Sequence, residues 1–344
     1  EYLNVIIQKY KDLQITGLEF NKTIFDAIKS IANKDILIYN EDYITYKSPC
    51  NYDLIIGNPP YYVITKKNVD PYYTKYFDGR PNIFILFIIK SLDLLNDNGI
   101  LSFILPKNFL NCLYYDKTRK YINGNFEILN ILECEDDYIE TKQETIILII
   151  RKSVNKNYIN DNFTLNKEEY IIFGSPENII KLKSLYNNSK CLYSLGFNVY
   201  VGTVVWNQCK EILTDDNTKT RLIYSSDIIN NKLDIKNYNN KCKKNYINKD
   251  GETKPLLVIN RGYGVGDYKF DYCLIDVDFN YLIENHLICV NHKENIEREK
   301  LMKLYKKIIE SFDDTRTYNF IKLYFGNNAI NTTELCKILP IYNI

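Results

Sequence analysis

The chain has 344 residues, 45% of them hydrophobic and 25% charged, which is enough for two domains with separate cores and excludes a disordered or fibrous protein. Its formal net charge is +1, yet residues 1–150 carry 16 basic and 20 acidic side chains while residues 151–344 carry 28 and 23. Only the second half therefore has a charge excess suited to phosphate, and nine cysteines with no CxxC pair, beside only His286 and His292, predict neither a metal centre nor a redox motif.

Taken in chain order, the first 150 residues alternate strand and helix patterns. An amphipathic helical pattern (Leu3, Ile6, Ile7, Tyr10) begins directly at Glu1, with no Met before it. Residues 15–20 read as a strand, and 22–32 as a helix with Ile24, Phe25, Ile28 and Ile31 on one face. A short strand over 36–39 and a continuous apolar strand over 52–56 come next. Residues 82–95 read as a helix that is apolar nearly all round, which predicts burial. A strand over 99–105 stops at Pro106; 115–123 reads as a helix, and 126–133 and 143–151 as strands joined by a short polar loop. Apolar strands separated by helices predict an α/β fold with a mainly parallel, doubly wound sheet, and the short loop predicts an antiparallel final hairpin.

Beyond Arg151 the texture changes to short mixed strands between polar stretches. Residues 230–250 are rich in Lys and Asn and read as a loop; 295–311 and 316–325 read as helices. The predicted organisation is a catalytic-type α/β domain over 1–152, a linker or edge segment over 153–190, and a mixed α/β domain over 191–344.

The most informative stretch is Asp53-Leu54-Ile55-Ile56-Gly57-Asn58-Pro59-Pro60-Tyr61. Pro60 fixes its own φ and holds Pro59 extended, which makes a stiff turn with few donors at the end of a buried strand. Such a turn presents the Asn58 side-chain oxygen and the Pro59 carbonyl as two acceptors. Facing an exocyclic amino group, they would bind both of its hydrogens and draw the nitrogen lone pair out of conjugation, while Tyr61 supplies a flat face for a ring. The position fits too, because ligands of open α/β sheets bind beyond the carboxyl ends of the strands.

With its flanks, this stretch resembles the gamma-class N6-adenine DNA methyltransferases of restriction-modification systems. Ile15-Thr16-Gly17-Leu18-Glu19-Phe20-Asn21 resembles the family's second strand, and the resemblance gives Glu19, with Phe20 beside it, to the cofactor ribose hydroxyls. Asn40-Glu41-Asp42-Tyr43 resembles its third motif, with Asp42 accepting from the cofactor adenine and Tyr43 packing beside it. Asn82-Ile83-Phe84-Ile85-Leu86-Phe87 resembles the helix lining the adenine pocket, which implicates Ile83 and Phe87. Residues 94–106 resemble the next block, with its Pro-Gly weakened to Asp97-Asn98-Gly99, and 132–150 resemble the closing hairpin. In that hairpin the family stacks an aromatic ring on the far face of an extruded base; the aligned position is Tyr138 or Ile139, and Tyr138 alone has a π-face. The family's glycine-rich first motif has no counterpart, since Glu1-Tyr2-Leu3 resembles the segment just after that motif, so the chain is expected to be truncated there. Gly262, Gly264 and Gly266 lie too far downstream to replace it.

The second half resembles the target-recognition region of the same class through Tyr200-Val201-Gly202-Thr203-Val204, through Lys254-Pro255-Leu256-Leu257-Val258-Ile259-Asn260-Arg261, and through 311–340. Lys241, Lys243, Lys244, Lys254 and Arg261 are its candidate DNA contacts. The resemblance implies S-adenosylmethionine as cofactor with no metal, double-stranded DNA as partner, and a monomer. Apolar runs too short to cross a bilayer, unpaired thiols and no signal peptide predict an intracellular protein, in a cytoplasm or an infected host cell. Three other functions share the features: the methylating part of a fused type II restriction-modification enzyme, a methyltransferase acting on a protein glutamine amide, and a DNA-binding relative without activity.

Overall fold

In the computed structural model, which describes residues 2–10, 12–134, 144–238, 243–261, 270–325 and 330–344, the chain divides into two units. Glu1–Phe163 with Phe173–Ser175 form the first, and Thr164–Ile172 with Pro176–Ile344 form the second.

In the first unit, α1 (Tyr2–Lys9) leads to β1 (Ile15–Leu18), α2 (Lys22–Ile28) and β2 (Ile36–Tyr39). Asn21 starts α2 because its side-chain oxygen accepts from the backbone N–H groups of Thr23 and Ile24, two donors the first turn cannot otherwise satisfy. β1 and β2 pair in parallel, Ile15 opposite Ile36. Among the described residues β1 pairs with β2 alone, and no residue of α2 is buried.

A separate sheet runs in the order β3-β4-β6-β5, made of β3 (Tyr52–Gly57), β4 (Leu95–Pro106), β5 (Glu127–Glu133) and β6 (Thr145–Arg151). α3 (Ile83–Asp93) carries the chain from β3 to the parallel β4, and α4 (Asp116–Asn125) carries it on to β5. β6 then inserts between β4 and β5, antiparallel to both, so the antiparallel closing hairpin read from the short loop is present. Leu101, Ile150 and Ile128 form one cross-strand row and Phe103, Leu148 and Ile131 the next, each residue at most 4% exposed. Apolar side chains of this size contribute ~1.5–3 kcal/mol each when buried, and they fix the register, because a one-residue slip would turn the whole set to the other face.

The junction of α3 and β4 differs from the sequence reading, with β4 beginning at Leu95 and not at Gly99. The helix expected over 82–95 ends at Asp93, because Leu95 is already paired with Tyr52 and fully buried in β4. Early in β4, Asn98 has a positive φ of 64°, and a Cβ on Gly99 would stand 2.9 Å from the carbonyl oxygens of Asn96 and Tyr52. Asp97-Asn98-Gly99 thus keeps what this bend needs, a residue that tolerates the left-handed region and then one without a side chain.

The second unit is built on an antiparallel sheet of Phe197–Val201, Leu287–His292, Leu256–Asn260 and Tyr272–Ile275. Ile288, Val290 and Leu257 pack into one core with Tyr305 and Ile308 of helix Arg298–Phe312 and Phe320 of helix Thr315–Tyr324. A second small sheet joins Leu213–Thr214, Tyr246–Ile247, Thr220–Ile223 and Tyr281–Ile283. The loop expected over 230–250 is therefore corrected: it contains the paired strands Lys232–Leu233 and Tyr246–Ile247. Two-residue strands are too short to show a period, and Ile247 is fully buried although its neighbours are polar. The fold class is mixed α/β, a Rossmann-like unit with an antiparallel end and then a second mixed unit.

Candidate active site

The first unit places the expected site residues where its parallel strands end. Asn58, Pro59 and Pro60 come directly after β3; Asn58 and Pro60 are exposed and Pro59 is buried. The Tyr61 hydroxyl lies 2.6 Å from Asn58 Oδ1 and 2.9 Å from the carbonyl oxygen of Ile104 in β4. One hydroxyl hydrogen serves one of these acceptors at a time, so the phenol spans the ends of β3 and β4 and steers the Asn58 amide. This tie was not legible in the sequence, where Tyr61 offered only a ring.

An aromatic box stands behind the turn. The Tyr61 ring meets Phe84 edge-on at 6.1 Å, and Phe84 meets Tyr115 at 5.0 Å and Phe109 at 6.0 Å. Burial pushes the Tyr115 hydroxyl up to about 12. The segment after β4 is held from beneath by Arg119 of α4, which is fully buried. Its guanidinium donates to the carbonyls of Phe109 and Cys112, both at 2.8 Å, and of Asn111 at 3.4 Å, with Asp116 at 3.8 Å. Asn108 Oδ1 in the same segment is buried without a hydrogen-bond partner among the described residues.

The second half of the site lies at the ends of β1 and β2. Asn40 Nδ2 donates to the carbonyls of Glu19 and Phe20, which clasps the two strand ends. Glu19 Oε1 accepts from Asn21 N–H at 2.7 Å and Asp42 Oδ1 from Ile44 N–H at 2.9 Å. Among the described residues the other oxygen of each carboxylate has no partner. Phe20 is 75% exposed. Tyr43 packs on Phe87 at 4.9 Å and shares a 2.7 Å hydrogen bond with Ser91, and burial pushes its hydroxyl up to about 12.

α3 connects the halves. Its first turn, with Ile83 and Phe84, sits at the Asn58 turn, and its second and third, with Phe87, Lys90 and Ser91, sit at the Tyr43 turn. From Phe84 to Ser91 the helix rises about 10 Å. Lys90 donates to the carbonyls of Ile44 at 2.9 Å and Tyr46 at 2.5 Å, and its ammonium lies 5.2 Å from the Tyr43 ring centroid. Burial holds the Lys90 ammonium below its usual range, opposed by the Asp42 carboxylate. Sequence reasoning passed over Lys90, although a lone cation in an apolar helix was the available signal.

The structure thus brings Asn58, Pro59, Pro60, Tyr61, Ile83, Phe87, Asp42 and Tyr43 around one helix, with Glu19 and Phe20 at the neighbouring strand end. Tyr138 and Lys241 lie outside the described residues. In the second unit, Lys243 is not a surface cation: its ammonium lies 4.0 Å from the Tyr224 ring centroid and 3.9 Å from that of Tyr238, and it donates to Ser226. Burial holds it below its usual range. Lys244 pairs with Asp215, and Lys254 donates to Asn295 at 3.0 Å. Arg261 comes directly after strand Leu256–Asn260 and is half-buried. These engagements put Lys243 in the packing of its own unit and leave Lys254 the exposed one of the expected contacts among the described residues.

Known proteins share this sequence pattern. The sequence model of the Eco57I restriction-modification methylase family matches residues 2–139. The chain is 26% identical over 348 residues to the type II methyltransferase M.CvrRI of Paramecium bursaria Chlorella virus XZ-6E, spanning 99% of this chain and 85% of that protein. It is 23% identical over 357 residues to the modification methylase CviBIII of Paramecium bursaria Chlorella virus NC1A, spanning 99% and 84%. Among solved structures, the type IIG restriction endonuclease BpuSI aligns with 90% of this chain and 49% of its own, at 12% identity and a TM-score of 0.36. The chain is thus similar in sequence to type II and restriction-modification methyltransferases.

Proposed function

We propose that the chain is a DNA methyltransferase that moves a methyl group from S-adenosylmethionine to N6 of an adenine turned out of duplex DNA. The observation that carries this reading is the exposed Asn58 amide at the end of β3, steered by the Tyr61 hydroxyl and set on a buried proline. A rigid pair of acceptors at a strand end has little use in a structural turn, and it matches an amino group with two hydrogens to give. Similarity to type II and modification methyltransferases over 99% of this chain supports the same reading.

The ends of β1 and β2 fit the cofactor by their chemistry. Glu19 and Asp42 each keep one carboxylate oxygen without a partner among the described residues, as hydroxyl and amino donors require. Ile83, Phe87, Phe20 and the Tyr43 ring offer apolar surface for a purine. When bound, S-adenosylmethionine supplies a methyl group on a positively charged sulfur, which leaves as a neutral thioether. Asn58 Oδ1 and the Pro59 carbonyl then accept the two N6 hydrogens and hold the nitrogen lone pair out of the ring system. As N6 gains its new bond it becomes cationic, and the same two oxygens stabilise that charge. An amide oxygen is too weak a base to keep the proton, which passes to water. Tyr61 covers one face of the base; Tyr138 is assigned the other. Residues of the second unit are assigned to reading the DNA sequence, by resemblance alone.

The test is transfer of radiolabelled methyl from S-adenosylmethionine by the purified protein, offered duplex DNA and a mixed protein substrate separately. The account expects label in DNA, recovered as N6-methyladenine. Label in protein instead would replace the adenine by a side-chain amide, whose nitrogen suits the same two acceptors.

A further inference from the structure

The catalytic-type unit carries a surface that neither the sequence motifs nor the site above uses. After Tyr61 the chain turns back on itself: Val63 bridges Asn82 in antiparallel fashion, Ile83 N–H donates to the Tyr62 carbonyl, and Ile64 N–H donates to the Pro81 carbonyl, both at 2.9 Å. This pairing sets Ile64, which precedes Thr65 and Lys66, opposite Pro81, which follows Arg80. A Cβ built on Gly79, whose φ is +65°, would stand 3.3 Å from Cε1 of Tyr114, so the Tyr114 ring lies close against that glycine. The segment holding Tyr114 is the one fixed by Arg119.

The result is a patch of exposed cations and aromatic rings next to the Asn58 turn. Tyr62 is 54% exposed and Tyr114 60%, and Lys66, Lys67 and Arg80 are exposed as well. Among the described residues none of those three cations has an ion pair or side-chain hydrogen bond. The neighbouring acids are already engaged: Asp78 pairs with Lys117 at 2.6 Å, and Asp70 accepts from Tyr72 N–H as a helix cap. Lys75, by contrast, is spent over the rings of Tyr72 and Tyr76. Free cations with masked acids suit a polyanion, and rings interleaved with cations suit stacked bases.

We infer that Lys66, Lys67 and Arg80 grip the phosphates of the DNA flanking the target adenine, and that Tyr114, with Tyr62, covers the base step that opens when the adenine leaves the stack. The inference rests on the reading of duplex DNA as the substrate. It places backbone contacts on the unit that holds the chemistry, so that the extruded base is held within reach of Asn58 whatever the second unit reads.

The experiment measures anisotropy of a fluorescein-labelled duplex across a salt series for the wild-type protein and for Lys66→Ala/Lys67→Ala/Arg80→Ala. The triple variant is expected to bind ~10-fold or more weakly at low salt, with the log–log salt slope reduced by roughly 2 to 3, since each phosphate contact contributes about 0.9. All three side chains are exposed, so the thermal midpoint should not move. Equal affinity and slope in the two proteins would overturn the grip. Methyl transfer then tests the rings: Tyr114→Ala should lose ~10-fold on a fully paired duplex and little on the same strand left unpaired at the adenine. Equal activity to wild type on both would overturn that role, as would equal losses on both. Because anisotropy does not depend on turnover, a wild-type protein that binds duplex but never methylates it refutes the adenine reading and leaves the grip to be judged by its slope. A wild-type protein that binds no duplex refutes both.

Discussion

Replacing Tyr61 by Phe separates the two things this residue does. The ring and its edge contact with Phe84 remain, whereas the hydroxyl that reaches Asn58 Oδ1 at 2.6 Å and the Ile104 carbonyl at 2.9 Å is lost. One hydrogen is shared between two acceptors, so one neutral hydrogen bond disappears, at a net cost of about 1 kcal/mol. If that bond orients the Asn58 amide in the working complex, the cost falls on the barrier, and about 1 kcal/mol is a factor of about 5 in kcat. The KM for DNA should change less than about 2-fold, because the face offered to the base is unchanged. Asn58→Ala removes the acceptor itself and belongs with losses of about 100- to 1000-fold seen when one preorganised group is deleted. Steady-state methyl transfer to duplex DNA, with kcat and KM resolved, is the assay. A Tyr61→Phe protein with unaltered kcat would refute the steering role. A loss as deep as that of Asn58→Ala would refute it differently, by making the hydroxyl a participant in the chemistry.

The site sets three further outcomes. Lys90→Met keeps the length of the side chain and removes the donor to Ile44 and Tyr46, so the turn carrying Asp42 and Tyr43 should loosen and S-adenosylmethionine should bind ~10-fold more weakly by calorimetry; unchanged affinity would contradict that link. Arg119→Met deletes three bonds to backbone carbonyls and leaves Asp116 with a weaker set of partners, which should cost roughly 3 kcal/mol and lower the thermal midpoint by about 6–12 °C; a shift under about 2 °C would show that the loop does not depend on it. Burial raises the Tyr43 hydroxyl from its ordinary 10.0 to about 12, so its contribution to stability is fully present below pH 10 and is lost as pH rises through about 12. Tyr43→Phe should therefore flatten the alkaline fall in unfolding free energy over that window, and identical pH profiles for the two proteins would show the opposite.

What the sequence disclosed was local and what it concealed was tertiary. Asn58 to Tyr61 were legible because two prolines after an apolar strand leave few conformations. The burial of α3 was legible because residues 83–89 carry no polar side chain. The order β3-β4-β6-β5 was half legible: the short loop predicted an antiparallel pair, but nothing local says that β6 slips between β4 and β5. The lysines of the second unit show the limit most clearly. A Lys-Lys dipeptide in a polar stretch reads as surface, yet Lys243 is drawn between Tyr224 and Tyr238, and Tyr224 stands nineteen positions away. Arg119 gave no signal either, since its acceptors are backbone carbonyls, which every residue has. Lys90 was different, because a cation inside an apolar helix must find partners to remain charged, and the turn at 44–46 supplies them.

The central claim is that Asn58 and Pro59 hold an adenine amino group for methylation. It is tested most directly by mass spectrometry of nucleosides from the DNA of cells expressing the gene, beside cells expressing Asn58→Ala. The account predicts N6-methyladenine with the unaltered gene and its loss, to about 1% or less of that signal, with the variant. Equal N6-methyladenine from both genes would contradict it.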